Sequence, residues 1–126
     1  MKGVDTNVLI RYLVADDPDQ ASKAKRYVES SPIYVNCIVL AEVVWVLESA
    51  YGYAKEAIAT TLEHLLSTHE IEVEDAEITL AAVHDYRRST TGFTDCLIGR
   101  RNAAHGCEET GSFDKRAKGA WRFKIL

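Results

Sequence analysis

The sequence predicts an α/β fold: one domain, with a mostly parallel central sheet of four to five short strands flanked by helices on both faces. Three observations carry this prediction. Short β-type runs alternate with longer helical stretches along the whole chain, as in strands joined by helical crossovers. The length of 126 residues suits a single domain with a real core. No repeat, linker or low-complexity segment divides residues 1–126, so they form one unit.

Gly3-Val4-Asp5-Thr6-Asn7 reads as the end of a first strand running directly into an apolar helix that begins at Thr6. Asp16-Asp17-Pro18 ends that helix and starts another, with Asp17 as N-cap and Pro18 at the first helical position. Ala21, Ala24, Tyr27 and Val28 give the helix over 18–30 one apolar face. Ile33-Tyr34-Val35 is a short strand. Nine of the ten residues 38–47 are apolar, which predicts a helix buried nearly all round, with Glu42 the exception. A helix over 54–67 follows, then a strand at Ile71-Glu72-Val73 and a helix over 76–88. The acids Glu70, Glu72, Glu74 and Asp75 read as solvated edge and cap residues. Thr94 is the expected N-cap of a helix running from Asp95 to about His105 and closed by Gly106. Residues 107–112 form a weak strand, a basic turn follows through Lys118, and Trp121 to Ile125 alternates like a final strand.

Composition narrows the function classes. No apolar run approaches the roughly 20 residues that span a bilayer. Charged groups early in the chain argue against a signal peptide, so the expected location is the cytosol. Cys37, Cys96 and Cys107 are odd in number and form no CxxC pair; they read as small buried fillers. The four histidines show no HxH or HExxH spacing, and there is no P-loop, GxGxxG or GxSxG. Net charge is −4, but residues 1–86 balance to −9 and residues 87–126 to +5. A basic carboxyl-terminal third suits a polyanion, with Arg87, Arg88, Arg100, Arg101, Lys115, Arg116 and Lys118 as candidate backbone contacts. A solvated surface explains the same charges.

Three acids hold matching places in separate strand–helix units. Asp5 ends the first strand, Asp95 opens a helix, and Asp114 follows the strand over 107–112. In a parallel sheet these places lie along one rim, the ligand side. Glu42 reaches the same rim from near the start of its helix. Asp5 and Asp95 each also read as helix-start residues, and the case rests on the set. Acids gathered so closely repel one another without a cation, and a hard divalent ion such as Mg²⁺ suits carboxylates, water and a substrate phosphate.

Val4-Asp5-Thr6-Asn7-Val8, the apolar helix carrying Glu42, Phe93-Thr94-Asp95-Cys96-Leu97-Ile98 and Ser112-Phe113-Asp114-Lys115 together resemble the PIN-domain ribonucleases, and VapC-type toxins of toxin–antitoxin pairs in particular. The resemblance covers nearly the full chain. It implies a parallel sheet between helices and Mg²⁺- or Mn²⁺-dependent cleavage of RNA. It implies that Asp5, Asp95 and Asp114 hold metal and that Glu42 completes the catalytic acids. Asn7 and Ser112 match polar positions that support them, and Arg100, Arg101, Lys115 and Arg116 would contact RNA. A homodimer silenced by a cognate antitoxin is also implied. Gly92 stands where many of these proteins carry a further Asp, which weakens a second metal position. Two alternatives remain open: a non-catalytic module that binds protein through helices 38–47 and 54–66, and a metal-dependent phosphatase.

Overall fold

The computed structural model describes all residues, 1–126. Strands β1 (Lys2–Gly3), β2 (Ile33–Val35) and β3 (Ile71–Val73) form a parallel sheet in the order β1-β2-β3. Strands β4 (Thr110–Ser112) and β5 (Phe123–Ile125) form a separate parallel pair. The central sheet is therefore smaller than expected. Its first strand stops at Gly3 because Val4 and Asp5 are used to enter the next helix. Glu108 and Glu109 stay outside β4, as poor strand formers should. The last strand is also shorter than expected, because Arg122 adopts a left-handed backbone with φ 56° just before β5.

Six helices surround the strands: α1 (Thr6–Leu13), α2 (Pro18–Glu29), α3 (Cys37–Ser49), α4 (Lys55–Ser67), α5 (Ala76–Arg88) and α6 (Phe93–Ala104). A single 3₁₀ turn spans Lys115–Ala117. No helix is long and apolar enough to cross a membrane. Ile33, Val35, Ile71 and Val73 turn into the core, while Tyr34 is half-buried and Glu72 exposed on the alternate positions. Leu40, Val43, Val44 and Leu47 of α3 meet Ile58, Leu62 and Leu65 of α4 and Val83 of α5 in one continuous core.

Helix α3 is not buried all round. Val39, Leu40, Val43, Val44 and Leu47 make a buried stripe, the helical spacing that one packed face produces. Ile38 is 73% exposed and Trp45 67% exposed on the other side, and Glu42 is exposed beside them. The helix packs against α1, α4 and α6, and Ile38, Glu42 and Trp45 of its outward face stay exposed.

Side-chain caps set where α1, α2 and α3 begin. Asp17 accepts a bond from the Gln20 N–H at 3.1 Å to start α2, and Asn36 accepts from the Val39 N–H at 2.9 Å to start α3. Helix α6 starts at Phe93, two residues earlier than expected, with Gly92 at its N-cap position. Phe93 is 1% exposed and packs edge-on against Tyr86 with ring centres 6.0 Å apart. This burial fixes the first turn, and Thr94 lies exposed inside the helix rather than capping it. Gly99, in the middle of α6, makes room for β5: a Cβ there would stand 2.7 Å from Cε2 of Phe123. The small pair β4–β5 is thereby seated against the helix that carries Asp95. Of the cysteines, Cys37 and Cys96 are buried as expected, whereas Cys107 is exposed because it falls in the open turn after α6.

The two sides of α3 should respond differently to truncation. Leu40→Ala is expected to lower stability by about 2–5 kcal/mol, seen as a lower urea midpoint at unchanged slope. Ile38→Ala should change it by less than about 0.5 kcal/mol. Equal losses would contradict the exposed face.

Candidate active site

Because β1, β2 and β3 run parallel, their carboxyl ends share one edge of the sheet. The residues that follow them there are Asp5, Asn36 and Glu74. Asp5 is exposed and caps α1, its Oδ1 accepting the Val8 N–H at 3.0 Å. Its Oδ2 has no partner within the chain. With Asn7, Arg11, Gln20, Lys23 and Tyr27 it lines a groove of about 390 Å³ between α1 and α2. Asn7 is exposed and its side chain bonds to none of the acids.

Glu42 lies on the exposed face of α3, so its place there is not forced by burial as the apolar run suggested. It lines a second groove, of about 450 Å³, with Thr94, Leu97 and Ile98 of α6. Glu42 and the first turn of α6 thus face the same space.

Asp95 sits half-buried in that first turn, where the helix dipole favours a carboxylate. The Thr91 hydroxyl, 2% exposed, donates to its Oδ2 at 2.8 Å. Oδ1 is left without a partner in the chain. The neighbouring Thr90 hydroxyl donates to the backbone carbonyl of Arg116 at 2.7 Å. The loop before α6 is therefore tied both to Asp95 and to the turn that follows Asp114.

Asp114 caps the 3₁₀ turn. Its own N–H donates to Ser112 Oγ at 3.0 Å, and its Oδ1 accepts the Arg116 N–H at 2.9 Å. The Arg116 guanidinium closes on the same carboxylate, with Nη2 2.7 Å from Oδ2. Arg116 holds the Asp114 carboxyl below the usual range, through its side-chain bonds first and its backbone N–H second. The pair raises the Arg116 pKa in return, and the charge of Asp95 adds to that rise.

The structure thus joins Asp95, Asp114 and Arg116 through one loop and sets Glu42 across a groove from Thr94. Asp5 arrives at the sheet edge on α1, which packs against α3. No three His, Cys, Asp or Glu side chains approach closely enough to share one ion. Asp5 and Asp95 each keep one free carboxylate oxygen. That donor chemistry suits a hard cation held by one or two carboxylates and completed by water. Asp114 does not fit that set, since Arg116 occupies it.

The basic residues expected at the RNA are mostly engaged elsewhere. Arg100 forks onto Asp85 at 2.6 and 2.9 Å and stacks 3.5 Å above the Trp121 ring. Arg101 pairs with Asp75 at 2.6 Å and with Glu74 at 3.2 Å. Lys115 is exposed and pairs with no carboxylate.

Two residues escaped the reading of the sequence. Thr91 was hidden because the capping role was given to Thr94; its signal was a Ser/Thr-rich stretch before a helix, which offers more than one side chain to that turn. Glu74 is not a solvated edge acid. Its Oε1 accepts the Cys37 N–H at 2.9 Å at the start of α3, and that bond, with help from Arg101, holds its carboxyl below the ordinary range. The signal was its position directly after a strand, the same place that Asp5 occupies.

With fold and site in view, the chain defines itself as a member of the PIN-domain family, whose model matches residues 3–120. It is similar, at 28% identity over 122 residues, to a VapC ribonuclease of Aquifex aeolicus (strain VF5), a match spanning 94% of this chain and 90% of that protein.

The depressed pKa of Asp114 has a signed consequence. Stability from the Asp114–Arg116 pair is present above the ordinary carboxylate range and is lost as pH falls through the lowered folded-state value. In a carboxyl-detected NMR titration, Arg116→Gln should move the Asp114 midpoint upward. An unmoved midpoint would remove Arg116 as the cause.

Proposed function

We propose that this protein is a metal-dependent endoribonuclease of the cytosol, the toxin of a type II toxin–antitoxin pair. The observation that supports the proposal is Asp95 in the first turn of α6, tied through Thr91 and Thr90 to the turn that Asp114 caps, with Glu42 across a groove from Thr94 and Asp5 at the sheet edge. Similarity to a VapC ribonuclease along 94% of the chain supports the same reading.

Asp5 and Asp95 are the residues that would hold Mg²⁺ or Mn²⁺ through their free oxygens. Such an ion, when bound, supplies an acidified water and offsets charge on a phosphodiester. Val8 N–H and the Thr91 hydroxyl fix the orientation of the two carboxylates. Glu42, on the facing helix, takes the proton of the attacking water or orients it. Asp114 belongs to the same acidic rim, and Ser112 positions it through its N–H. Asn7 lines the groove beside Asp5, where it can bond a nucleotide. Lys115 supplies the free positive charge for the RNA backbone. Arg101, paired with Glu74, lines the groove that Glu42 also lines.

The exposed Ile38, Trp45 and Ile98 favour protein association, with a second copy and an antitoxin as the partners. The same face supports a second reading, a non-catalytic binding module. Metal-dependent cleavage separates the two.

The test is cleavage of a mixed, labelled RNA pool with Mg²⁺, with Mn²⁺ and with EDTA, alongside Asp5→Asn. Asn caps a helix as well as Asp does, so this variant should keep its stability within about 1 kcal/mol. Its cleavage should fall by roughly 100-fold or more. Cuts that need metal and vanish in the folded variant support the proposal. A folded, partner-free protein that cuts no RNA, while forming a stable hetero-complex, supports the binding module instead.

A further inference from the structure

We infer that Arg116 is a resident cation of the acidic site, which withdraws Asp114 from metal binding so that the site accepts a single divalent ion. The inference rests on the nuclease reading above and assigns a role within it.

A carboxylate offers about four lone-pair positions on its two oxygens. At Asp114 one residue engages both oxygens through three N–H donors, the single Nε–H being shared between them. Oδ1 receives the Arg116 backbone N–H at 2.9 Å and Nε at 3.1 Å; Oδ2 receives Nη2 at 2.7 Å and Nε at 3.2 Å. A metal at either oxygen would compete with this fork. The fork forms at low entropic cost because the partners are two residues apart across a 3₁₀ turn. The Thr90 bond to the Arg116 carbonyl holds the backbone of that turn against the loop leading to Asp95.

Charge balance points the same way. Asp95 and Asp114 bring two negative charges to this end of the site and Arg116 returns one positive. With Asp5 the sum is −2, which a single divalent ion shared with Asp5 would offset, whereas a second ion beside a guanidinium is repelled. Gly92, at the N-cap of α6, adds no ligand, and the space where its Cβ would stand is open within 4 Å. Arg116 retains Nη1, which bonds to nothing in the chain, and its side chain is 72% exposed. Those free N–H groups suit a phosphate oxygen. The arginine can thus hold the RNA backbone where another site would use a metal.

The experiment is Mn²⁺ titration followed by electron paramagnetic resonance of the free ion, on the full chain and on Asp114→Asn, Asp95→Asn, Arg116→Gln and Arg116→Lys, each checked for fold by circular dichroism. The expected wild-type stoichiometry is one ion. Asp114→Asn should leave the affinity within about threefold, while Asp95→Asn should weaken it by about tenfold or more. Arg116→Gln should bind a second ion, or the first about tenfold more tightly. Arg116→Lys, which keeps the charge without the fork, should fall between wild type and Arg116→Gln. Two ions in the wild type, or a tenfold loss in Asp114→Asn, would overturn the inference while leaving the nuclease reading intact. No Mn²⁺ bound by the folded wild type would remove the metal site itself, and the inference with it.

Discussion

The central strands are only two or three residues long, and this brevity constrains everything at the functional edge. A strand that short cannot spare residues for a loop, so the chain leaves the sheet and enters a helix almost at once. The residue at the junction must then satisfy the first N–H groups of that helix. Asp5 does so for α1 and Asn36 for α3, while Glu74 reaches across from the end of β3 to the Cys37 N–H. Because the strands are parallel, these polar junctions share one edge. The acidic character of the edge is thus a by-product of starting helices, and only a carboxylate with an oxygen to spare has anything left for a ligand. Asp5 meets that condition. Glu74 does not, since both its oxygens serve Cys37 and Arg101.

The acids are kept from repelling one another by different means. Glu74 and Asp75 share Arg101, Asp85 holds Arg100, and Asp114 holds Arg116. Asp95 receives a neutral hydroxyl from the buried Thr91, and Glu42 faces solvent. Arginine therefore neutralises the acids around the rim, while Asp5, Glu42 and Asp95 keep their charge unpaired within the chain. Much of the positive charge in the last third of the sequence is consumed this way. A count of basic residues overstates what remains for a polyanion, because it cannot see the partners.

What was legible in the sequence follows from the range of the forces involved. The helices read over 18–30, 54–67 and 76–88 were legible because apolar periodicity marks them, and at Asp17-Pro18 a local cap does so as well. Ile33-Tyr34-Val35 and Ile71-Glu72-Val73 were readable because alternation marks one buried face. The start of α6 was not, because it is set by the burial of Phe93 against Tyr86, a contact made through the fold. The extent of burial around α3 was not readable either. Hydrophobicity says what a helix tolerates, and only its neighbours decide which face is covered. Among the candidate acids the sequence named Asp5, Asp95 and Asp114 by their topological places, but it could not show that Arg116 folds back onto Asp114.

The outward face of α3 sets exposed apolar residues beside an acid of the candidate site. Ile38, Glu42 and Trp45 are spaced by four and three residues, so they stand in one row on the exposed side of the helix. Ile38 and Glu42 also line the groove shared with α6, together with Ile98. Covering the apolar members of the row removes costly surface from water, and Glu42 lies between them. A protein that buries Ile38 and Trp45 must therefore either desolvate Glu42, which is unfavourable for an unpaired carboxylate, or bring a cation to it. Either result takes Glu42 out of solvent. A close-fitting partner on this row would therefore cover an acid of the candidate site, and a basic group on that partner would be the energetically favoured way to bind there.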